Sequence, residues 1–573
     1  MASLDLVLLH PPSIYDFRQR TILYGPISDL VPSSPIFDMY PIGFASIAEY
    51  LEHNGYRVRI VNLAALMLRD NNFDVERAIR RLNAPVFGID LHWLPHAHGA
   101  IEIARLVKKH HPQAKVVFGG LSSSYYYQQL LKYPEVDFVV RGDSTERPLL
   151  ELMNCIRNNK SLSKVPNLAW LDDNDVIQEN AMSHVPDDLS DVMIRYYDNT
   201  VRSVIRYRDI FGYMPFKRWL SYPITAVLTC RGCTENCVIC GGSAFGYRHY
   251  CHRERPVYRT PQMVAQDVKR ISSFSKGPIF ILGDIRQPGE EYAYELLMLL
   301  QKQQVSNQLI LELFSPASRD ILEQMAKSCP RFCLQISPES HDPEVRRASG
   351  KHYSSKDLEN TLTYALNAGC GRLDLFFMIG LSKQTPQSAL DTIDYCKPLL
   401  KDLGKDNRFS CFTSPLAPFL DPGSLAYEKS ERYGYKLFCH SLEDHRQALL
   451  APSWKHTLSY ETEWMTRSQI ADVSYEAGLR LNRIKLDCGL ISSEVAKDTE
   501  QRINSAQEML LRIDQITGNG QDHSDSPELS QLKHIVDQVS MSTVCEKTEL
   551  DLSTGLLKLR PFHAIWSRIT DRG

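Results

Sequence analysis

The constraint that most limits how this chain can fold is a rhythm. Short apolar runs at residues 4–9, 56–63, 85–89, 115–118 and 138–140 alternate with segments of helical period at 44–53, 73–82, 100–110 and 147–156. Runs this short and this apolar suit strands covered on both faces, as in a parallel sheet with crossover helices. The alternation resumes at residue 224, with candidate strands at 224–228, 278–282, 309–313, 332–336, 372–378 and 408–413. Helices fall between them, one of them over 261–273 with Thr260 as N-cap and Pro261 at the first position. Two α/β units are therefore expected, and in such units ligands sit beyond the carboxyl ends of the strands.

The strongest chemical signal lies directly after the run 224–228. Cys233, Cys237 and Cys240 stand at C-x3-C-x2-C spacing, which lets one short loop offer three thiolates to three corners of a cubane iron–sulfur cluster and leaves the fourth iron for a non-protein ligand. Cys230 adds a fourth thiol, so tetrahedral zinc is an alternative. Zinc ligands usually come from two separated knuckles, however, and no second knuckle is near; Cys230 is expected to be a buried thiol. The remaining cysteines of the fourteen are scattered, which argues for a reducing compartment rather than a disulfide framework.

The loops expected at the ligand edge of the first unit carry Pro11-Pro12, Asp90-Leu91-His92, Gly119-Gly120 and the stretch Gly142 to Glu146. Glycines there let a large flat ligand approach the backbone. No Gly-x-Gly-x-x-Gly follows the first strand, which counts against a dinucleotide. Five strands at this rhythm suggest a flavodoxin-like (Rossmann-type) order with its switch point between strands 1 and 3. A net charge of −3 makes no case for nucleic acid or an anionic membrane, and the basic and aromatic residues of 195–219 are expected in interdomain packing. No apolar run reaches the roughly 18 residues of a membrane span, and the N-terminus lacks a basic n-region; a cytoplasmic protein is expected.

The thiol loop and its setting resemble the radical S-adenosylmethionine (SAM) superfamily, and the loops of the first unit resemble the cobalamin-binding domain that precedes it in one large subclass. Residues 1–415 together resemble the cobalamin-dependent radical SAM enzymes, the B12-binding domain/radical SAM domain family. The resemblance implies a partial (β/α)6 TIM-type barrel with a [4Fe-4S] cluster on Cys233, Cys237 and Cys240. It places SAM against Gly283 and Asp284 (amino group), Ser337 and Glu339 (ribose and carboxylate), and Ile379 and Gly380 (adenine). It places cobalamin against Pro11, Pro12, Asp90, His92, Gly119, Gly120, Gly142 and Glu146. The chain departs from the pattern in three places: Gly283-Asp284 shortens a Gly-Gly-Glu element, Ile239 replaces an aromatic, and Gln384 stands where Glu is common. Cobalamin domains with a histidine cobalt ligand carry Asp-x-His-x-x-Gly after strand 1; here that position reads Leu8-Leu9-His10-Pro11-Pro12-Ser13. Cobalt without a histidine ligand is therefore expected, His92 being the alternative, with His96 and His98 on the surface of the following helix.

The expected organisation is a cobalamin-binding domain (1–156), a connector (157–220) containing a hairpin, a radical SAM domain (221–415), a mostly helical C-terminal cap (416–517, helices at 433–456 and 466–486), and a linker with a loosely attached tail (518–573). The cap is rich in aromatics, and Trp454 and Tyr460 are expected to line a substrate pocket, with the loop 25–40 covering the cofactor. The resemblance implies reductive cleavage of SAM to functionalise an unactivated carbon, most simply C-methylation of a small molecule or lipid. Electrons would come from a donor such as flavodoxin or ferredoxin. Carbon–carbon bond formation, cyclisation or ring contraction is the alternative chemistry, and a non-catalytic cobalamin sensor the alternative class.

Overall fold

A computed structural model describes residues 4–26, 34–192, 194, 203, 205–209, 211–416, 419–518, 526–540, 545 and 549. Its first sheet contains β1 (Leu6–His10), β2 (Val58–Asn62), β3 (Val86–Asp90), β4 (Lys115–Gly119) and β5 (Phe138–Val140). They pair in the order β2-β1-β3-β4-β5, all parallel, which is the flavodoxin-like order with its switch point between β1 and β3. Alternate residues of each strand enter different cores. Val7, Leu9, Phe87 and Ile89 pack against Ile101 and Ala104 of the helix Ala97–His110. Leu6, Leu8, Val117 and Val140 pack against Phe44 and Leu149 of the helices Gly43–His53 and Glu146–Asn158.

The hairpin assigned to the connector extends this sheet instead. β6 (Leu168–Leu171) pairs antiparallel with β5, and β7 (Ile177–Glu179) with β6; Leu168 and Ala169 are buried and cover an edge that β5 would otherwise leave open. Beyond it, Tyr213, Phe216 and Trp219 are buried, with Trp219 Nε1 donating to the Ile224 carbonyl at 3.0 Å. These aromatics pack between the two sheets as expected; Arg195, Tyr196, Tyr197 and Arg202 lie outside the described residues.

The second sheet runs β8 (Thr225–Val227), β11 (Ile279–Ile281), β12 (Leu309–Leu313), β13 (Phe332–Glu339), β14 (Arg372–Ile379) and β15 (Phe409–Pro415), six parallel strands in sequence order. A two-stranded ribbon of β9 (Cys230–Arg231) and β10 (Val257–Tyr258) follows β8. Among the described residues β8 and β15 are the sheet's outer strands, so it forms an open, partial barrel. The helix Arg467–Asp487 packs on β15 and on the helix Pro386–Leu403, making it a further piece of barrel wall.

The segment 433–456 is not one helix. Gly434, at φ +68, ends a short turn, β16 (Tyr435–Leu437) pairs with β17 (Tyr460–Thr462), and separate helices cover Leu442–Ala448 and Trp454–Thr457. Ser441 starts the first of these through a capping box with Asp444, and Pro452 separates the two. Of the tail, Cys545 packs on Phe376 and Phe412, and Glu549 pairs with Lys485 at 2.7 Å, so these two residues are attached rather than loose.

Candidate functional site

The carboxyl ends of the two sheets open onto one cavity of about 480 Å³. The first sheet contributes Asp90, His92, His96, Gly119, Gly120 and Gly142 to its wall; the barrel contributes Ala226, Leu228, Cys230, Arg231, Phe280 and Leu282. Two glycines give it shape. A Cβ on Gly88 of β3 would come 2.7 Å from Leu8 Cδ2. Gly120 has φ +116, and a Cβ there would lie 2.5 Å from the His92 Cα, so only glycine fits.

Two buried ion pairs bolt the cavity's halves together. Arg231 grips Glu146 bidentately, and Ser46 Oγ donates to the same carboxylate at 2.6 Å. Burial alone would raise Glu146, but Arg231's charge and these hydrogen bonds hold it below the usual carboxylate value. Arg253 likewise grips Asp143, with Nη2 donating to Oδ1 at 3.0 Å and to Ser144 Oγ at 3.2 Å.

Arg231 stands two residues before Cys233, so the first clamp also fixes the thiol loop. Cys233, Cys237 and Cys240 lie between β9 and the helix Ala244–Tyr250 and are free, half-buried thiols. Burial pushes Cys233 up to about 11 and raises Cys237 and Cys240, while Lys351 counters it at Cys237. Gly350, at φ +91, lets the following turn lie on the loop: a Cβ there would be 2.9 Å from the Asn236 carbonyl oxygen. Among the described residues, the group of three or more His, Cys, Asp or Glu ligand atoms that gathers within 4.8 Å is His10, Asp90 and His96. The three thiols come from one short loop rather than from two separated knuckles. Cys230 turns to the cavity, its Sγ donating to the Gly232 carbonyl at 3.7 Å.

Carboxylates collect above the barrel. The Gly283 N–H donates to Glu312 at 2.6 Å, and burial pushes Glu312 up to about 7. Glu339 sits at φ +69 beside a register shift between β13 and β14; its Oε2 has no hydrogen-bond partner, and Lys351 Nζ is 3.9 Å from Oε1. Asp284 is occupied elsewhere, gripped by Arg286 and accepting from the Phe314 N–H at 2.9 Å. Gln384 accepts from the Gly380 and Leu381 N–H groups at 2.9 and 3.2 Å and donates to the Met378 carbonyl. Gly380, at φ +100, lies beneath Tyr460, whose hydroxyl has no partner.

The sequence matches the B12 binding domain family over residues 31–149 and the Radical SAM superfamily over residues 227–396. The chain belongs to the B12-binding radical SAM proteins. Curated relatives include cytidylyl-2-hydroxyethylphosphonate methyltransferase of Streptomyces wedmorensis, 24% identical over 263 residues (40% of this chain, 48% of that one). The anaerobic magnesium-protoporphyrin IX monomethyl ester cyclase of Synechocystis is 24% identical over 271 residues (46% and 49%). The chain thus spans about half the length of the curated relatives it matches. Among solved structures, the radical SAM methyltransferase TsrM of Kitasatospora setae with cobalamin and a [4Fe-4S] cluster aligns with TM-score 0.58 at 14% identity, over 88% of this chain and 100% of that one. OxsB with aqua-cobalamin and SAM aligns with TM-score 0.56 at 11% identity, over 100% and 83%. At these identities the likeness establishes the fold.

Within this B12-binding radical SAM protein, the structure brings six of the eight cobalamin candidates to one cavity wall and places the other candidates elsewhere. Asp90, His92, Gly119, Gly120, Gly142 and Glu146 share the cavity wall. Pro11 and Pro12 lie outside it, the Pro12 carbonyl facing Gly99. Ser337 is half-buried on β13, and Ile379 is buried with its carbonyl bonded to the Leu416 N–H. Trp454 and Tyr460 are also outside the wall; Trp454 Nε1 donates to the Tyr475 hydroxyl at 2.9 Å. His96 and His98 are not surface residues: both are 3% exposed, and His98 Nδ1 accepts from the Tyr15 N–H. They face inward because the helix that begins there turns its first residues onto the sheet. Of the loop 25–40, residues 27–33 lie outside the described residues, whereas Met39 and Tyr40 reach the cavity. Among the described residues no helix is long and apolar enough to cross a membrane.

The residues fit the groups the family implies. Glycine-edged backbone faces the cavity, and above the barrel Glu339, whose Oε2 has no hydrogen-bond partner, and Glu312, pushed up to about 7 by burial, offer buried carboxylates to a polar ligand. Glu312, Lys351, Arg231 and His96 escaped the sequence-based candidates. Glu312 had left a trace, a lone charge inside the run Leu309-Ile310-Leu311-Glu312-Leu313.

Proposed function

We propose that this chain is a cobalamin-dependent radical SAM methyltransferase acting on an unactivated carbon of a small molecule or lipid. The supporting observation is the single cavity walled by the β1/β3 switch point on one side and by β8, β9 and β11 on the other. Cys233, Cys237 and Cys240 hold the cluster, and their C-x3-C-x2-C spacing in one half-buried loop after β8 supports this. Glu312 and Glu339 receive the SAM amino group, while Ile379 and Gly380 flank its adenine. Gly119 and Gly120 let cobalamin approach, and the Arg231–Glu146 and Arg253–Asp143 clamps keep the two halves in line. Bound there, these groups supply one-electron cleavage of SAM and a transferable methyl group. The apolar walls exclude water from the reacting carbon. Tyr460, with its unpartnered hydroxyl, and Trp454, packed against Gly25, are assigned to substrate selection. A flavodoxin or ferredoxin class protein supplies electrons.

The cyclase relative, equally identical, favours a second reading: carbon–carbon bond formation without methyl transfer. One assay separates them. Anaerobic enzyme with SAM, methylcobalamin and reductant is expected to give 5′-deoxyadenosine, and with substrate a methylated product plus S-adenosylhomocysteine. 5′-Deoxyadenosine with product but no S-adenosylhomocysteine would assign the second chemistry; no SAM cleavage under any condition would refute both.

A further inference from the structure

We propose that the substrate is a neutral, mainly apolar small molecule carrying no phosphate or carboxylate, and that the barrel side of the cavity receives it. The inference rests on the reading that this cavity is the reaction site, and it deepens that reading by naming the substrate's chemistry.

The barrel side of the wall is built from apolar side chains. Ala226, Leu228, Phe280 and Leu282 come from β8, β11 and the residues just after them, and Phe216 and Trp219 close the space from the connector. Phe280 pairs in register with Ala226, and the Leu282 N–H donates to the Val227 carbonyl at 3.0 Å, which sets Leu282 beside Leu228. The Trp219 indole is pinned by its bond to the Ile224 carbonyl. Val227, Ile279 and Ile281, which point away from the cavity, are at most 1% exposed, whereas Ala226, Leu228 and Leu282 keep accessible surface where they line it. Apolar surface left open to water inside a protein favours an apolar occupant. The rim has the same character, since Trp93 lines the cavity and is 51% exposed.

No charge on the wall is free to meet a charged substrate. Among the described residues the wall has one guanidinium, that of Arg231, and no lysine, and Arg231 is committed bidentately to Glu146. The other two carboxylates of the wall are also taken, Asp143 by Arg253 and Asp90 by the His10 ring at 2.9 Å. The remaining basic side chains, His92 and His96, stand on the first-sheet side, which the functional reading gives to cobalamin. The helix Gly43–His53 begins at the wall, but its Phe44 and Ala45 N–H groups are bonded to the Pro41 and Ile42 carbonyls at 3.0 Å, so its start is not a ready anion seat.

A phosphate or carboxylate entering this space would lose its water without gaining a partner, or would take Arg231 from Glu146 and strand that carboxylate. A cationic amine is no better served, because the wall's carboxylates are paired and Glu312 and Glu339 lie outside it. A neutral molecule meets neither cost.

The test uses full-length protein loaded with cobalamin and cluster, and N-phenyl-1-naphthylamine, a neutral probe whose fluorescence rises in apolar surroundings. Saturable binding of one probe per chain is expected. 1-Naphthol should displace the probe at a concentration lower by about tenfold or more than 1-naphthyl phosphate, the same ring carrying a charge. Leu282→Asp should weaken probe binding by a similar factor with cobalamin and iron contents unchanged, and Leu282→Met should keep it. Ala226→Phe, which fills the space instead of charging it, is the second variant should Leu282→Asp not load its cofactors, and the naphthol pair in the wild type decides in either case. Displacement by the phosphate as effective as by naphthol, no saturable probe binding to loaded protein, or binding untouched in the loaded variants overturns the proposal and leaves the functional reading intact. A wild type that takes up neither cofactor refutes the functional reading itself.

Discussion

Replacing Arg231 by Met should uncouple the two halves of the site. Glu146 and Arg231 are 7% and 10% exposed at their side chains, so removing the guanidinium strands a buried carboxylate with no cation to balance it, left to Ser46 and its own backbone N–H as donors. Breaking a buried pair from one side costs about 3–5 kcal/mol. At roughly 2–4 °C per kcal/mol for a unit of this size, the first thermal transition of cofactor-free protein should fall by about 6–20 °C. Glu146→Gln with Arg231→Met should recover most of the loss, because no charge is then left unpaired. A double-mutant cycle should return a coupling of about 2 kcal/mol or more. The pH dependence has a fixed sign. In the wild type Glu146 is depressed, so its contribution is full above the unfolded carboxylate value near 4.5 and is lost as pH falls through the lower folded value. In Arg231→Met burial, the largest influence on Glu146, is opposed only by the Ser46 and backbone hydrogen bonds and raises the carboxyl, so the deficit should be largest at pH 7–8 and shrink toward pH 5. A shift under 2 °C, or single-variant effects that simply add, would refute the clamp.

Other outcomes follow from the same geometry. Changing Cys233, Cys237 and Cys240 together to Ala should abolish the brown chromophore of anaerobically reconstituted protein, whereas Cys230→Ala, whose thiol faces the cavity, should keep it. Because Glu312 is pushed up to about 7, SAM affinity by calorimetry should rise as pH passes through 7 and Glu312 ionises; Glu312→Gln should flatten that rise. Trp454→Ala removes a buried indole and its bond to Tyr475, so a loss of about 3–5 kcal/mol in stability is expected by denaturant titration. Tyr460→Phe should keep or raise stability by the same measurement, since it removes a buried hydroxyl that has no hydrogen-bond partner.

Both sheets were legible in the sequence because parallel strands covered on both faces leave short apolar runs, and the thiol loop because cluster ligation requires its spacing. What stayed hidden depends on contacts between distant residues. The hairpin at β6–β7 carries no mark saying whether it closes a connector or joins the edge of β5. His96 sits on a helical period that suits either face, and its burial is set by packing against His10, 86 residues away in the sequence. Glu312 acquires its role from a Gly283 N–H on the neighbouring strand's loop. In the cap, the period at 433–456 resembled one helix, but Gly434 and Pro452 break it and Ser441 restarts it.

The central claim, two cofactor sites with separate ligands on one chain, is tested most directly by counting cofactors in one set of anaerobic preparations. The wild type should hold one cobalamin and one [4Fe-4S] cluster per chain. The triple cysteine variant should keep cobalamin and lose iron. Gly120→Ala, whose Cβ would lie 2.5 Å from the His92 Cα, should keep iron and lose cobalamin. Cobalamin lost along with iron in the folded triple cysteine variant, or full cobalamin in Gly120→Ala, would contradict the account.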